Sequence, residues 1–174
     1  MIPFLPSYIP PEVDMNQVKA DVADDGVSVP PADAADVPAL RQVVEQALKD
    51  GIDLKIVVIE HNPPIDTPLR DVATEAGKTY PDATVLAISP SFAGTYSTHF
   101  DRVTLEAGQD VAKTGNAVQS SKNFVSELTT EHFPWTPFTI VLVLAVIAAL
   151  VVTRVLQVRG KRAAAAEAAS DTAG

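Results

Sequence analysis

Apolar residues are arranged along this chain in three different ways. Residues 1–11 are Pro-rich, with Phe4, Leu5, Tyr8 and Ile9 set among the prolines. From residue 14 to residue 128, apolar positions recur at helical spacing or in short β-branched runs. Residues 138–153, FTIVLVLAVIAALVVT, are apolar on every side, without a charge, a Gly or a Pro. The first pattern predicts an extended arm whose apolar groups dock on the rest of the chain, touch lipid or bind a partner. The second predicts a folded domain, and the third a helix in a membrane.

Within the second region, residues 14–25 fit a short helix. Asp14 is a candidate N-cap, Met15, Val18 and Val22 share one face, and Gly26 ends it. Residues 27–29 fit a short strand ahead of Pro30-Pro31. Residues 36–50 predict a stronger helix, capped by Asp36, with Leu40, Val43, Val44, Ala47 and Leu48 on one face and Gly51 at its end. The run IVVI within residues 54–60 suits a central parallel strand covered on both faces. A further helix is expected from Thr67 as cap, with Pro68 at its first position. Leu69, Val72, Ala73 and Ala76 face inward, and Gly77 closes it. Residues 83–89, ATVLAIS, form another buried type of strand, so residues 54–89 predict a right-handed βαβ unit. The alternation in RVTLE, residues 102–106, predicts a half-exposed antiparallel edge strand. Residues 109–128 read as helix broken at Gly115-Asn116, with Val111, Val118, Phe124, Val125 and Leu128 available to pack.

The expected fold class is α/β: a small mixed sheet with a βαβ unit and helices on both faces, followed by one C-terminal transmembrane helix. The expected divisions are the arm and short helix at residues 1–26, an acidic α/β domain at 27–130, a transmembrane helix at 135–158, and a basic, then Ala-rich, disordered tail at 159–174.

Sixteen apolar residues in a helix span roughly 24 Å, slightly less than a hydrocarbon core of about 30 Å. The flanks make up the difference. Trp135 and Phe138 favour the headgroup level on one side, and Arg154 can snorkel outward on the other. Membrane lipid is therefore an expected partner. The alternative, a buried core helix in a larger fold, is disfavoured because the segment is apolar all round and follows the folded region.

Charge adds an orientation. Residues 1–137 carry a net charge of −11, and residues 154–174 carry +2, making the chain's −9. Arg154, Arg159, Lys161 and Arg162 follow the apolar run, whereas residues 123–137 contain no Lys or Arg. The positive-inside rule then places the domain outside and the tail in the cytoplasm. The opening MIPFLPSYIPPEVD lacks both a basic segment and a long apolar one, so no signal peptide is expected there. A tail-anchored protein with a cytoplasmic domain remains the alternative. The acidic domain argues against nucleic acid, which requires a basic face. The absence of Cys decides nothing about compartment.

Candidate chemistry centres on the carboxyl ends of the two strands, at Glu60-His61-Asn62 and Ser89-Pro90-Ser91, where open α/β sheets bind ligands. The segment SFAGTYSTHF, residues 91–100, reads as a loop rich in aromatic and polar groups. Phe92, Thr95, Tyr96 and His99 are its expected binding surface, with Tyr96 the most exposed and Gly94 allowing close approach of a partner. Phe100 is expected to turn into the core. His61 and His99 with Asp66 or Asp101 offer metal-ligand types, but no diagnostic spacing such as HExxH joins them. A Ca²⁺ site made of loop carboxylates and carbonyls is a second option. No cofactor is expected otherwise. The chain has no phosphate-binding GKS/T, no Cys nucleophile and no GxSxG elbow, so no catalytic residue is assigned.

The order of elements resembles the TPM domain family, small extracytoplasmic α/β domains anchored by one membrane helix. Residues 51–73, GIDLKIVVIEHNPPIDTPLRDVA, and 89–116, SPSFAGTYSTHFDRVTLEAGQDVAKTGN, are similar to a family of single-pass membrane proteins of mycobacteria and corynebacteria. That resemblance implies a role at the cell envelope, because such proteins are typically encoded near NlpC/P60-type peptidoglycan hydrolases. It implies an envelope protein as partner and supplies no catalytic residues. The TPM resemblance implies a second option, a phosphatase or metal-dependent hydrolase. A third is an accessory subunit of a membrane complex, held by the helix itself.

Overall fold

The structure, a computed structural model, describes residues 8–130 and 135–171, with side chains given for 8–130 and 137–162. Two compact units divide the chain near residue 130, and each is described by itself.

The first unit contains α1 (Met15–Asp24), β1 (Val27–Ser28), a 3₁₀ segment (Pro31–Asp36), α2 (Val37–Lys49), β2 (Leu54–Val58), α3 (Thr67–Thr79), β3 (Thr84–Ile88), β4 (Ala93–Tyr96), α4 (Arg102–Val111) and α5 (Ala117–Thr129). The sheet order is β1-β2-β3-β4. The first three strands are parallel and β4 is antiparallel to β3.

The β-branched runs sit where their composition requires. β2 lies between two parallel neighbours, and all five residues of β3 are buried. Their side chains alternate between two apolar layers. Leu54, Ile56, Leu86 and Ile88 pack with Leu40, Val43 and Ala47 of α2 and with Leu105 and Phe124 of α4 and α5. Val57, Val85 and Ala87 pack on the other face with Val18 and Val22 of α1 and Leu69, Val72, Ala73 and Ala76 of α3. Each fully buried Leu or Val contributes about 1.5–3 kcal/mol.

The two crossovers step across the sheet in the same direction, yet α2 and α3 lie on opposite faces. They therefore have opposite hands, and only one of them obeys the right-handed rule.

Helix α1 belongs to the domain rather than to an appended arm. Val22 is fully buried, Lys19 pairs with Glu75 of α3 at 2.9 Å, and the Tyr80 hydroxyl donates to the Lys19 carbonyl. Asp14 caps α1 as expected, accepting from the Asn16 and Gln17 amides. The arm docks at its described end: the Tyr8 amide donates to Asp71 of α3, and Ile9 packs on the α1–α3 layer. Phe4 and Leu5 lie outside the described residues.

Several expectations are corrected. Residues 102–106 open helix α4 instead of forming a strand. Asp101 accepts from the Thr104 amide as an N-cap, and Leu105, Gly108 and Ala112 give the helical spacing its buried face. The antiparallel edge strand is β4, inside the segment read as a loop. Thr67 lies inside α3, and the cap position is Asp66, whose side chain makes no capping bond. Asp36 likewise makes none, because the 3₁₀ segment feeds directly into α2. Gly77 does not close α3. It is buried within the helix against the Tyr96 ring, and a Cβ there would lie 2.1 Å from Tyr96 Cδ1. Leu48 is 64% exposed and does not join the α2 face. Gly26 and Gly51, expected at the ends of α1 and α2, do adopt the left-handed conformation, at φ 81° and 83°.

The second unit is α6 (Trp135–Asp171). Its stretch Pro137–Arg162 is long and apolar enough to cross a membrane, and none of that apolar window is buried within the protein. The helix does not give way to a disordered tail after residue 158 but continues to residue 171 through a segment dominated by the strong helix formers Ala, Arg, Lys and Glu.

Candidate functional site

Adjacent parallel strands send their connections to opposite sides of the sheet. After β1 the chain turns through the 3₁₀ segment to α2 on one face. After β2 it runs through residues 59–66 to α3 on the other. Such divergence opens a crevice outside the carboxyl ends of the strands. A cavity of about 160 Å³ lies there, lined by Asp33 and Asp36 of the 3₁₀ segment, Glu60 after β2, Ser89 after β3, and Asn116 and Ser120 of the α5 start.

The rim is braced by Asn62. Its Oδ1 accepts from Ser89 Oγ and the Ser91 amide, both at 2.8 Å, and its Nδ2 donates to Ser91 Oγ at 3.0 Å. One side chain thereby ties the β2–α3 loop to the β3–β4 turn. Pro63 is buried behind it, while Pro64 and Ile65 project, Ile65 being 59% exposed. No residue lining the cavity is basic. Among the described residues, the carboxylates of Asp33, Asp36 and Glu60 have no hydrogen-bond or ion-pair partner. A depression of about 340 Å³ on the other face brings Glu12, Asp14, Asp21 and His61 beside Glu60. There Asp14 is used in capping α1, and Asp21 accepts from Ser28 Oγ at 2.9 Å.

The sequence-predicted binding residues are not gathered on one loop. Thr95 is buried in β4, with its hydroxyl accepting from Gln109 Nε2 at 2.6 Å. Tyr96 and Phe92 are half-buried against the α1–α3 layer, so Tyr96 is not the exposed anchor. His99 is exposed, beyond the strand. Phe100 packs on the opposite layer, as expected. Gly94 lets β4 approach α3 and not a partner, since its Cβ would meet backbone atoms of Leu69 and Arg70.

The metal candidates are also separated by role. His61 lies in the loop three residues after β2, Asp66 precedes α3, and the Asp101 carboxylate caps α4. Among the described residues, no three His, Asp or Glu side chains converge to hold an ion. Ser89 and Ser91 bond to Asn62, and among the described residues neither hydroxyl is hydrogen-bonded to a histidine.

Proton affinities shift away from the crevice, on α3. Hydrogen bonds from Lys78 and Lys19 hold the Glu75 carboxyl below its usual range, and Glu75 in turn raises Lys78. Of the residues expected at the membrane, Trp135 opens α6, Phe138 is 47% exposed, and Arg154 is exposed and donates to Gln157 Oε1.

Sequence reasoning found the strand ends and missed the acidic pair on the 3₁₀ segment. The signal was Pro30-Pro31 followed by two aspartates three residues apart, directly after a strand.

A small mixed α/β domain followed by a single unburied apolar helix defines a membrane-anchored class of protein. The chain belongs to the membrane protein Rv1476 family, whose model matches residues 8–167. It is 58% identical over 173 residues to membrane protein Rv1476 of Mycobacterium tuberculosis strain H37Rv, covering 99% of this chain and 91% of that relative. A solution NMR structure of the N-terminal domain of cg2496 from Corynebacterium glutamicum aligns with a TM-score of 0.46 at 13% identity, over 73% of this chain and 91% of that one.

Proposed function

We propose that this protein is a membrane-tethered interaction module. The α/β domain lies on the outer side of the plasma membrane, and α6 crosses the bilayer with its C-terminal end in the cytoplasm. The carboxyl edge of the parallel strands is the recognition surface, and its partner is a protein of the cell envelope, a cell-wall hydrolase being the kind the family resemblance suggests.

One observation carries this reading. The braced crevice presents three carboxylates, Asp33, Asp36 and Glu60, with no partner among the described residues, and the loop that Asn62 ties to its rim carries the exposed Pro64 and Ile65. A surface of that chemistry suits a basic segment with an apolar anchor, and charge complementarity sets partner choice and association rate. Asn62 holds the rim in place, so recognition there costs little ordering.

The full chain, solubilised in detergent, serves as bait against envelope extracts. An envelope partner should be recovered, and Asp33→Asn with Asp36→Asn and Glu60→Gln should weaken its capture about tenfold, with a matching loss in high salt. Equal capture by the triple variant would remove the crevice from the reading. Orientation is tested by protease treatment of spheroplasts, which should digest the domain. A domain protected until the membrane is broken would place it in the cytoplasm.

A further inference from the structure

We infer that the C-terminal end of α6 is a binding collar for anionic phospholipid headgroups. This rests on the reading that α6 spans the bilayer. Four cations, Arg154, Arg159, Lys161 and Arg162, fall within nine residues after the apolar run. All four are exposed, and among the described side chains no carboxylate pairs with any of them.

Their depth follows from helix geometry. Measured from Pro137 at 1.5 Å per residue, Arg154 lies about 25 Å along the axis and Arg159, Lys161 and Arg162 lie about 33–37 Å along it. A hydrocarbon core of about 30 Å, with headgroup layers bringing the whole to about 40–45 Å, puts the last three among the headgroups. Arg154 starts inside the core, with its stem along apolar surface, and reaches outward to the same layer.

Their angular placement adds a cluster. Arg154 and Lys161 are seven residues apart, which brings them within about 20° of one another around the helix, and Arg162 is about 80° from Arg154. Arg159 lies about 60° beyond Arg162, so the four cations fan over roughly 160° of the helix surface and leave the remainder without charge. Arginine forks grip phosphate oxygens in bidentate fashion, and the lysine supplies a compact charge. Basic residues at this position attract anionic lipid, each contributing separately.

The test uses the full chain, transferred from membranes into mild detergent and exposed to equimolar phosphatidylglycerol and phosphatidylcholine of the same acyl composition. Lipid retained on the protein is counted by native mass spectrometry. The expected result is roughly a fivefold preference for phosphatidylglycerol, reduced in high salt. Replacing all four cations with Gln should bring the ratio to about one, and replacing the three arginines with Lys should preserve most of it. No preference in the native chain, or an undiminished one in the Gln variant, overturns the inference. Loss of the bound lipid to millimolar glycerol phosphate would make this a site for soluble phosphates and overturn the lipid assignment. Alkaline carbonate extraction of the same membranes separates the two levels. A chain released by carbonate refutes the spanning helix itself, whereas a retained chain without lipid preference refutes only the collar.

Discussion

Gly94→Ala should be the most damaging single methyl in the domain. Gly94 is buried in β4, paired with Ala87 of β3, and has no positive φ, so only contact decides the outcome. An added Cβ would sit 2.3 Å from the Arg70 amide nitrogen and the Leu69 carbonyl carbon, and 2.7 Å from the Leu69 oxygen. Ordinary contact is about 3.5–4.0 Å, so relief requires moving backbone by roughly 1 Å. Neither side yields cheaply. Leu69 anchors α3 in the core with no exposed surface, and β4 is fixed to β3 at four register positions. Overpacking costs about 1–3 kcal/mol, and a clash against backbone belongs at the upper end, about 3 kcal/mol. For a domain of this size that is a fall in Tm of about 10–15 °C. The full chain in detergent micelles can be melted while following tyrosine near-UV circular dichroism. Tyr8, Tyr80 and Tyr96 all lie in the first unit and the single Trp lies in α6, so the tyrosine signal reports the domain. Gly51→Ala is the control. Nothing lies within 4 Å of a Cβ there, and its φ of 83° should cost only about 1 kcal/mol. If Gly94→Ala melts within about 2 °C of the native chain, the close packing of β4 on α3 is wrong.

Three further outcomes are expected. Asn62→Ala removes three hydrogen bonds at the crevice rim and should cost about 1–2 kcal/mol, with faster amide exchange confined to residues 61–66 and 89–92; exchange unchanged at both loops would show that Asn62 does not brace the edge. Glu75 is held below the usual carboxylate range by Lys78 and Lys19, so the clamp between α1 and α3 stabilises the fold above the ordinary carboxylate pKa and is lost as pH falls through the lowered one. Glu75→Gln should therefore cost about 0.5–1 kcal/mol at pH 7 and leave a shallower loss of stability in acid, and an acid limb parallel to that of the native chain would contradict the assignment. Val103→Asp should change stability by less than about 0.5 kcal/mol, because Val103 is 77% exposed on α4, whereas Leu105→Ala should cost about 2 kcal/mol or more; equal costs at the two positions would return residues 102–106 to a strand.

The contrast between Val103 and Leu105 shows why one segment was misread. RVTLE alternates as a strand does, yet the same residues continue a helical set through Leu105, Gly108 and Ala112 that a five-residue window does not contain. The Asp101–Thr104 cap was the legible cue. In SFAGTYSTHF the small residues resemble loop composition. Gly94 is small because α3 packs directly on β4, whereas Ala93 faces the opposite layer, and nothing in the local sequence says which helix will lie on either side.

The apolar run with its asymmetric flanks, the two β-branched strands and the helix between them were determined by the sequence alone. Each follows from a local periodicity, and 58% identity over nearly the whole chain accompanies membership of a membrane-protein family. Only the tertiary structure decided that α2 and α3 leave adjacent strands toward opposite faces, and so that an acidic crevice opens at their carboxyl ends. The same holds for the placing of Tyr96 against Gly77 and not in solvent. The physical reason is range. Hydrophobic spacing fixes which face of an element is buried, but contacts between residues distant in sequence choose the layer it is buried in, and with it which polar groups remain outside to recognise a partner.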